Sequence, residues 1–152
     1  MNSEVKITDN RLQLTRIFEA RRERVFAAWK DPAILQRWTG CKDATNVECQ
    51  SDFRAGGGFT TKMHIGGHAN CDCTFTGTYD AIVEPSKIAY HVNLGPVVTS
   101  VTVEFFDEAG QTRMVLTQEG FPDEMMIKFV LQGTRESFDK LDGVLAAKGV
   151  SG

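Results

Sequence analysis

The chain has 152 residues, of which 41% are hydrophobic and 24% charged, and a formal net charge of −3. This length suits one domain, 1–152, able to bury enough apolar surface to fold without a metal or disulfide staple. With no basic block and no acidic tail, the composition excludes the electrostatic grip that nucleic acid or an anionic membrane surface requires.

The first thirteen residues are polar, with no apolar stretch behind a basic start, so no secretory signal is expected. Residues 125–131 form the most apolar run, but Lys128 interrupts it and it is too short to insert across a bilayer. Cys41, Cys49, Cys71 and Cys73, without such a signal, suggest reduced thiols in a cytoplasmic protein. The first strand is expected over residues 11–20, with Leu12, Leu14 and Ile17 or Phe18 as its apolar members. Val25, Phe26 and Trp29 then recur at helical spacing. This helix should break near Lys30, ahead of Pro32. Asp31 and Pro32 start a second short helix, the first as a capping acceptor and the second as a ring suited to the first turn. Leu35 and Trp38 give that helix its buried face, and Gly40 ends it.

From there to Glu119 the pattern is one of strands. Val47, Cys49 and Phe53 share a face, and after the turn at Gly56-Gly57-Gly58 so do Phe59, Thr61 and Met63. Gly66-Gly67 marks a hairpin. Cys71, Cys73 and Phe75 face one way and Asp72, Thr74 and Thr76 the other, as in a half-buried strand. Gly77 is a candidate bulge, beyond which the phase is open. Ile88, Tyr90 and Val92 alternate, then Val101, Val103 and Phe105, then Met114 and Leu116 with Gln118 in phase. Residues 122–124 open the last helix. Its apolar stripe runs through Ile127, Val130, Leu131, Thr134, Phe138, Leu141 and Leu145, and Glu136 and Lys140 form an i,i+4 pair on its wet face.

This order is a strand, two short helices, about six strands and a long amphipathic helix. Strands joined by short turns make an antiparallel meander, which twists and coils. Its apolar face must be covered, and the last helix carries the only long apolar stripe. A straight helix on a curved sheet touches it well in few places, which leaves a gap closed at one end by the short helices.

Five segments then resemble a known family in this order: RRERVFAAWKDPAILQRWTG, DFRAGGGF, FTGTYDAIVEPSKIAY, TRMVLTQEGFP and GTRESFDKL. Together they are similar to the START-like superfamily, also called SRPBCC or birch-pollen-allergen-like. Within it they resemble the bacterial branch related to the C-terminal domain of the heat shock protein 90 ATPase activator. The resemblance runs from Leu12 to Leu145, with a core at about 12–147. It implies an α+β helix-grip fold: a curved antiparallel sheet of about six to seven strands around a long C-terminal helix, with two short helices after the first strand. Three places depart from the family's habit. Thr39-Gly40-Cys41 stands where a second aromatic and Gly-Pro are common. Gln118 stands where His is common, and Gly133-Thr134 where Gly-Trp is common. The last change implies a roomier or more polar pocket.

The candidate cavity wall draws Trp38 from the second short helix and Cys49, Phe59, Thr61 and Met63 from the early strands. Cys73, Phe75, Tyr90, Val101 and Val103 follow from the middle strands, Met114, Leu116 and Gln118 from the last strand, and Thr134 and Phe138 from the long helix. Each also fits plain core. The informative members are Tyr90, Gln118 and Thr134, because a polar group on an apolar face needs a partner, a buried water or a ligand.

His64, His68, Cys71 and Cys73 cluster around one hairpin with residue types that zinc prefers. Strand alternation separates them onto two faces, so neither a metal nor any other cofactor is expected. A Cys71–Cys73 disulfide is not expected either, the side-by-side geometry being close to the limit for bridging. The triple glycine precedes a strand and so lacks the helical amides of a phosphate loop. The inward strand positions carry no evident acid, base or activated nucleophile, which argues against an enzyme. The expected partner is a small hydrophobic or amphipathic molecule. A chaperone-directed protein interaction and a polyketide cyclase or dehydratase activity are the alternatives that the resemblance implies, and monomer and homodimer stay equally open.

Overall fold

The computed structural model describes residues 3–67 and 70–146. Its strands are β1 (Ser3–Thr8), β2 (Arg11–Phe18), β3 (Ala44–Ser51), β4 (Gly58–Ile65), β5 (Cys71–Val83), β6 (Lys87–Leu94), β7 (Val97–Glu108) and β8 (Gln111–Glu119). The helices are α1 (Arg22–Lys30), α2 (Pro32–Trp38) and α3 (Glu124–Ala146). The eight strands form one antiparallel sheet in the order β1-β2-β8-β7-β6-β5-β4-β3. This is the helix-grip arrangement, with one strand more than the alternation pattern indicates. That strand, β1, lies on the sheet edge and pairs only with β2, from Ser3 opposite Arg16 to Thr8 opposite Arg11. Its sequence SEVKIT buries too little for an apolar signal, and its charged members suit an unpaired edge. Among the described residues, no helix is long and apolar enough to cross a membrane.

Local chemistry sets the helix boundaries. Asp31 closes α1 through its N–H to the Ala27 carbonyl, and its carboxylate accepts from the Ala33 N–H at 3.0 Å to open α2. The Trp38 indole N–H donates to the Ala28 carbonyl at 3.0 Å, which locks α2 onto α1. The rings of Trp29 and Trp38 meet edge-on, with centroids 4.9 Å apart.

Helix α3 packs on β2 and α2. At that end Phe138 and Leu141 are buried within the core that also holds Val103 and Met114. An ionic clamp reinforces the contact. Arg16 follows Leu12 and Leu14 on the inward phase of β2 and is only 2% exposed. Its Nη2 reaches Asp139 at 2.6 Å and Asp142 at 3.1 Å, both on α3. Burial pushes the Asp142 carboxyl above the usual aspartate range; Arg16 pulls it down and Asp139 pushes it up again. The folded protein therefore holds this proton to a higher pH than the unfolded chain does. The stability from this group is complete below the ordinary aspartate value and is lost as pH rises through the elevated one. Asp142→Asn should remove that slope, so urea unfolding at about pH 4 and about pH 7 should differ less in the variant than in the wild type.

Gly77 is not the bulge. The register of β5 against β6 shifts between Tyr79 and Ala81, and up to Tyr79 the β5 alternation is unbroken. Glycine at 77 answers a packing demand. A Cβ there would lie 2.2 Å from the His91 carbonyl oxygen and 2.3 Å from the Phe59 ring. Gly77→Ala is expected to cost about 1–3 kcal/mol in unfolding free energy, because Phe59 and β6 must both move.

Candidate functional site

Helix α3 grips the sheet mainly at β2 and stands away from β4–β6. The gap is a cavity of about 210 Å³, partly open to solvent. Its closed end is aromatic: Trp29, Trp38 and Phe138 meet there, with Leu35 beside them. Phe59, Thr61, Phe75, Tyr79 and Tyr90 form the wall on β4–β6, with Ile88 and Val92 flanking Tyr90. Val101, Leu116 and Gln118 complete the sheet side, and Thr134, Ser137 and Thr39 face them from α3 and the end of α2.

Ten of the positions expected from the sequence meet at this cavity: Trp38, Phe59, Thr61, Phe75, Tyr90, Val101, Leu116, Gln118, Thr134 and Phe138. Five do not. Met63 is buried beneath Gly40, and Cys49 is covered where its N–H meets the Gln36 side chain and its sulfur the Thr61 hydroxyl. Val103 and Met114 belong to solid core at the end of the sheet where α1 closes on β7 and β8. Cys73 lies one inward position beyond Phe75, past the wall. Alternation orders residues along a face but does not say how far the helix covers it.

Of the wall residues that sequence reasoning missed, Ile88 and Val92 share the phase of Tyr90, and Ser137 adjoins Phe138. Trp29 was visible in its helical spacing. Tyr79 was hidden by the doubt over phase at Gly77. Leu35 counted as helix packing, and Thr39 lies just past the helix.

Two polar groups of cavity-lining residues stand out, the first sealed from solvent and the second on the wall. The Trp29 indole N–H is buried and, among the described residues, has no hydrogen-bond partner. The Gln118 side-chain amide donates to Thr99 Oγ1 at 2.9 Å, and no described residue donates to its carbonyl oxygen. Tyr79 and Tyr90 are the titratable groups on the wall. Burial pushes both phenols up, so both are protonated at neutral pH and suited to donate a hydrogen bond. No wall residue carries a formal charge at neutral pH.

The loop after α2 is tied down by the pair expected on the wet face of α3. Lys140 Nζ instead donates to the Thr39 and Cys41 carbonyls at 3.3 and 3.2 Å, and Glu136 accepts from the Lys42 N–H at 3.1 Å. The Ser137 hydroxyl donates to the Gly40 carbonyl at 2.8 Å. Residues 39–42 are thus strapped to α3 next to Thr39 and Ser137 of the cavity lining. Burial pulls the Lys140 ammonium below its ordinary pKa.

The hairpin histidine does not join the thiols. His64 Nδ1 lies 2.8 Å from Asp72 Oδ1 on the outward face, and His68 is outside the described residues. Among the described residues, no group of three or more His, Cys, Asp or Glu side chains is placed to hold a metal ion.

Comparison with known proteins agrees with this geometry. Residues 19–146 match the family model described as Activator of Hsp90 ATPase homolog 1-like protein. No curated protein matches the chain. Among solved structures, a protein from Rhodobacter sphaeroides is 21% identical with a TM-score of 0.81, over 96% of this chain and 99% of that one. A protein from Chromobacterium violaceum is 23% identical with a TM-score of 0.78, over 90% and 98%. One from Rhizobium leguminosarum is 28% identical with a TM-score of 0.69, over 93% and 94%. These likenesses carry the fold across nearly the whole chain.

Proposed function

The chain belongs to the Activator of Hsp90 ATPase homolog 1-like family, and we propose that it serves as a receptor for a small, neutral, mostly apolar molecule with one hydrogen-bonding end. The observation that carries this reading is a partly open apolar cavity whose wall holds no charged side chain and carries the Gln118 carbonyl oxygen, to which no described residue donates. Burying a charged ligand there would leave its charge uncompensated, whereas a neutral hydroxyl could donate to the Gln118 carbonyl oxygen on the wall.

Size narrows the class. An apolar cavity of about 150 Å³ takes up benzene, and drug-sized molecules occupy about 300–1,000 Å³. At about 210 Å³ this one suits a one- or two-ring aromatic or a short aliphatic alcohol or ketone.

Thermal unfolding in the presence of 2-naphthol or naphthalene-2-sulfonate tests the reading. The neutral probe should raise the midpoint, by up to about 2.7 kcal/mol in apparent stability at a hundredfold excess over Kd, and the anion should not. Thr134→Trp, which places a large ring on the cavity side of α3, should abolish the shift. No shift with 2-naphthol, or equal shifts for both probes, would contradict it. The same variant separates a chaperone-directed role: stimulation of an Hsp90 ATPase that survives Thr134→Trp would move function away from the cavity. An enzymatic role would instead require a proton acceptor at the wall, where Tyr79 and Tyr90 are both held as neutral donors.

A further inference from the structure

Cys71 and Cys73 are two residues apart on β5, so their side chains leave the same face of the sheet, the face that carries Phe75. Their sulfurs are 3.4 Å apart, and both thiols are free. Cys71 is exposed and Cys73 half-buried, so the pair is reachable from solvent.

The sulfur separation selects a kind of bound centre. With bonds of about 2.3 Å to each sulfur, as in zinc thiolates, sulfurs 3.4 Å apart subtend about 95° at the bound atom. That is close to a right angle. Trivalent arsenic, which bonds through nearly unhybridised p orbitals, is pyramidal and accepts such an angle. Zinc prefers the wider tetrahedral angle and four ligands. The outward-facing His64 is engaged with Asp72, and no third described ligand completes a set.

We propose that Cys71 and Cys73 form a two-thiol chelate for a monosubstituted trivalent arsenical, the organic substituent lying along the face of β5 toward Phe75 and the cavity rim. In the reaction an R–As=O group condenses with both thiols. Two As–S bonds form and the As=O bond breaks. Both thiol protons leave with the oxygen as one water. Arsenic stays trivalent, so no oxidant or reductant takes part. Burial first, and then neighbouring Cys71, push the Cys73 thiol up, so the proton that it gives to the departing water is in place at neutral pH. The chelate owes its strength to two sulfurs already side by side, since the second bond closes with little further loss of freedom.

The test uses the full-length reduced protein and phenylarsine oxide, with intact-mass spectrometry as the readout. Wild type should take up one phenylarsenic group with loss of two hydrogens. The adduct should survive excess glutathione and be released by dithiothreitol. Cys71→Ser and Cys73→Ser should each lose the glutathione-resistant adduct while keeping the wild-type circular dichroism spectrum. Cys41→Ser and Cys49→Ser should both retain it. A resistant adduct that persists in Cys71→Ser, that disappears in Cys41→Ser, or that never forms in wild type would overturn the assignment. The proposal does not depend on the cavity reading, because neither cysteine lines the cavity and the mass shift reads the thiol pair whether or not 2-naphthol binds.

Discussion

Phe138→Ala should lower the unfolding free energy by about 3–5 kcal/mol, measured by urea denaturation. The ring is 1% exposed and stands where α3, the short helices and the sheet converge. Its centroid lies 6.1 Å from that of Phe18, 6.4 Å from Trp29 and 6.3 Å from Trp38. Removing it forfeits both the buried area and three aromatic contacts of about 0.5–1.5 kcal/mol each. The new void would adjoin an existing cavity, so the neighbours have little to collapse onto. Phe129→Ala on the same helix is the control. That side chain is 77% exposed, and its loss should change stability by no more than about 0.5 kcal/mol. A small effect at 138 would mean that α3 is not anchored through this ring.

The second large effect is expected from the ionic clamp. Asp139→Asn combined with Asp142→Asn should cost about 3–5 kcal/mol, because a buried guanidinium loses both counter-charges and cannot discharge. The single change Asp142→Asn should cost much less. Burial already makes that carboxylate unfavourable, and Asp139 still faces Arg16 at 2.6 Å. Adding Arg16→Met to the double variant should recover most of the loss, since a well-packed apolar side chain can replace a buried ion pair at little cost. Failure of that rescue would show that the loss comes from the helix itself and not from a stranded charge.

Arg16 also shows how far alternation alone can be trusted. Leu12, Leu14, Arg16 and Phe18 all face inward, but a charged residue in the third position broke the apolar pattern and left the end of the strand open between Ile17 and Phe18. Its counter-charges come from α3, more than a hundred residues later, and nothing local announces them. The helix–helix junction at Asp31-Pro32 was legible because each signal acts within three residues. So were the stripes of β6, β7 and β8 and the long face of α3.

The cavity was legible as a face but not as a volume. Thr61, Tyr90 and Gln118 lie on it, while Val103 and Met114, in the same phase as cavity residues, fill solid core. The difference depends on where a straight helix leaves a curved sheet, which is a long-range property. The strap from Lys140, Glu136 and Ser137 to residues 39–42 was hidden for a similar reason: spacing on one helix pairs Glu136 with Lys140, whereas their partners lie on a loop that only the fold brings near. Tyr79 was lost to a glycine that looked like a bulge and turned out to make room for the Phe59 ring.

Nuclear Overhauser contacts between bound 2-naphthol and the protein's methyl groups decide most directly whether the space beneath α3 is a receptor. Cross-peaks to Ile88, Val101 and Leu116, absent in Thr134→Trp, are the predicted result. Saturating probe that touches only the exposed side chains of Met125 and Phe129, or touches no methyl group at all, would contradict it.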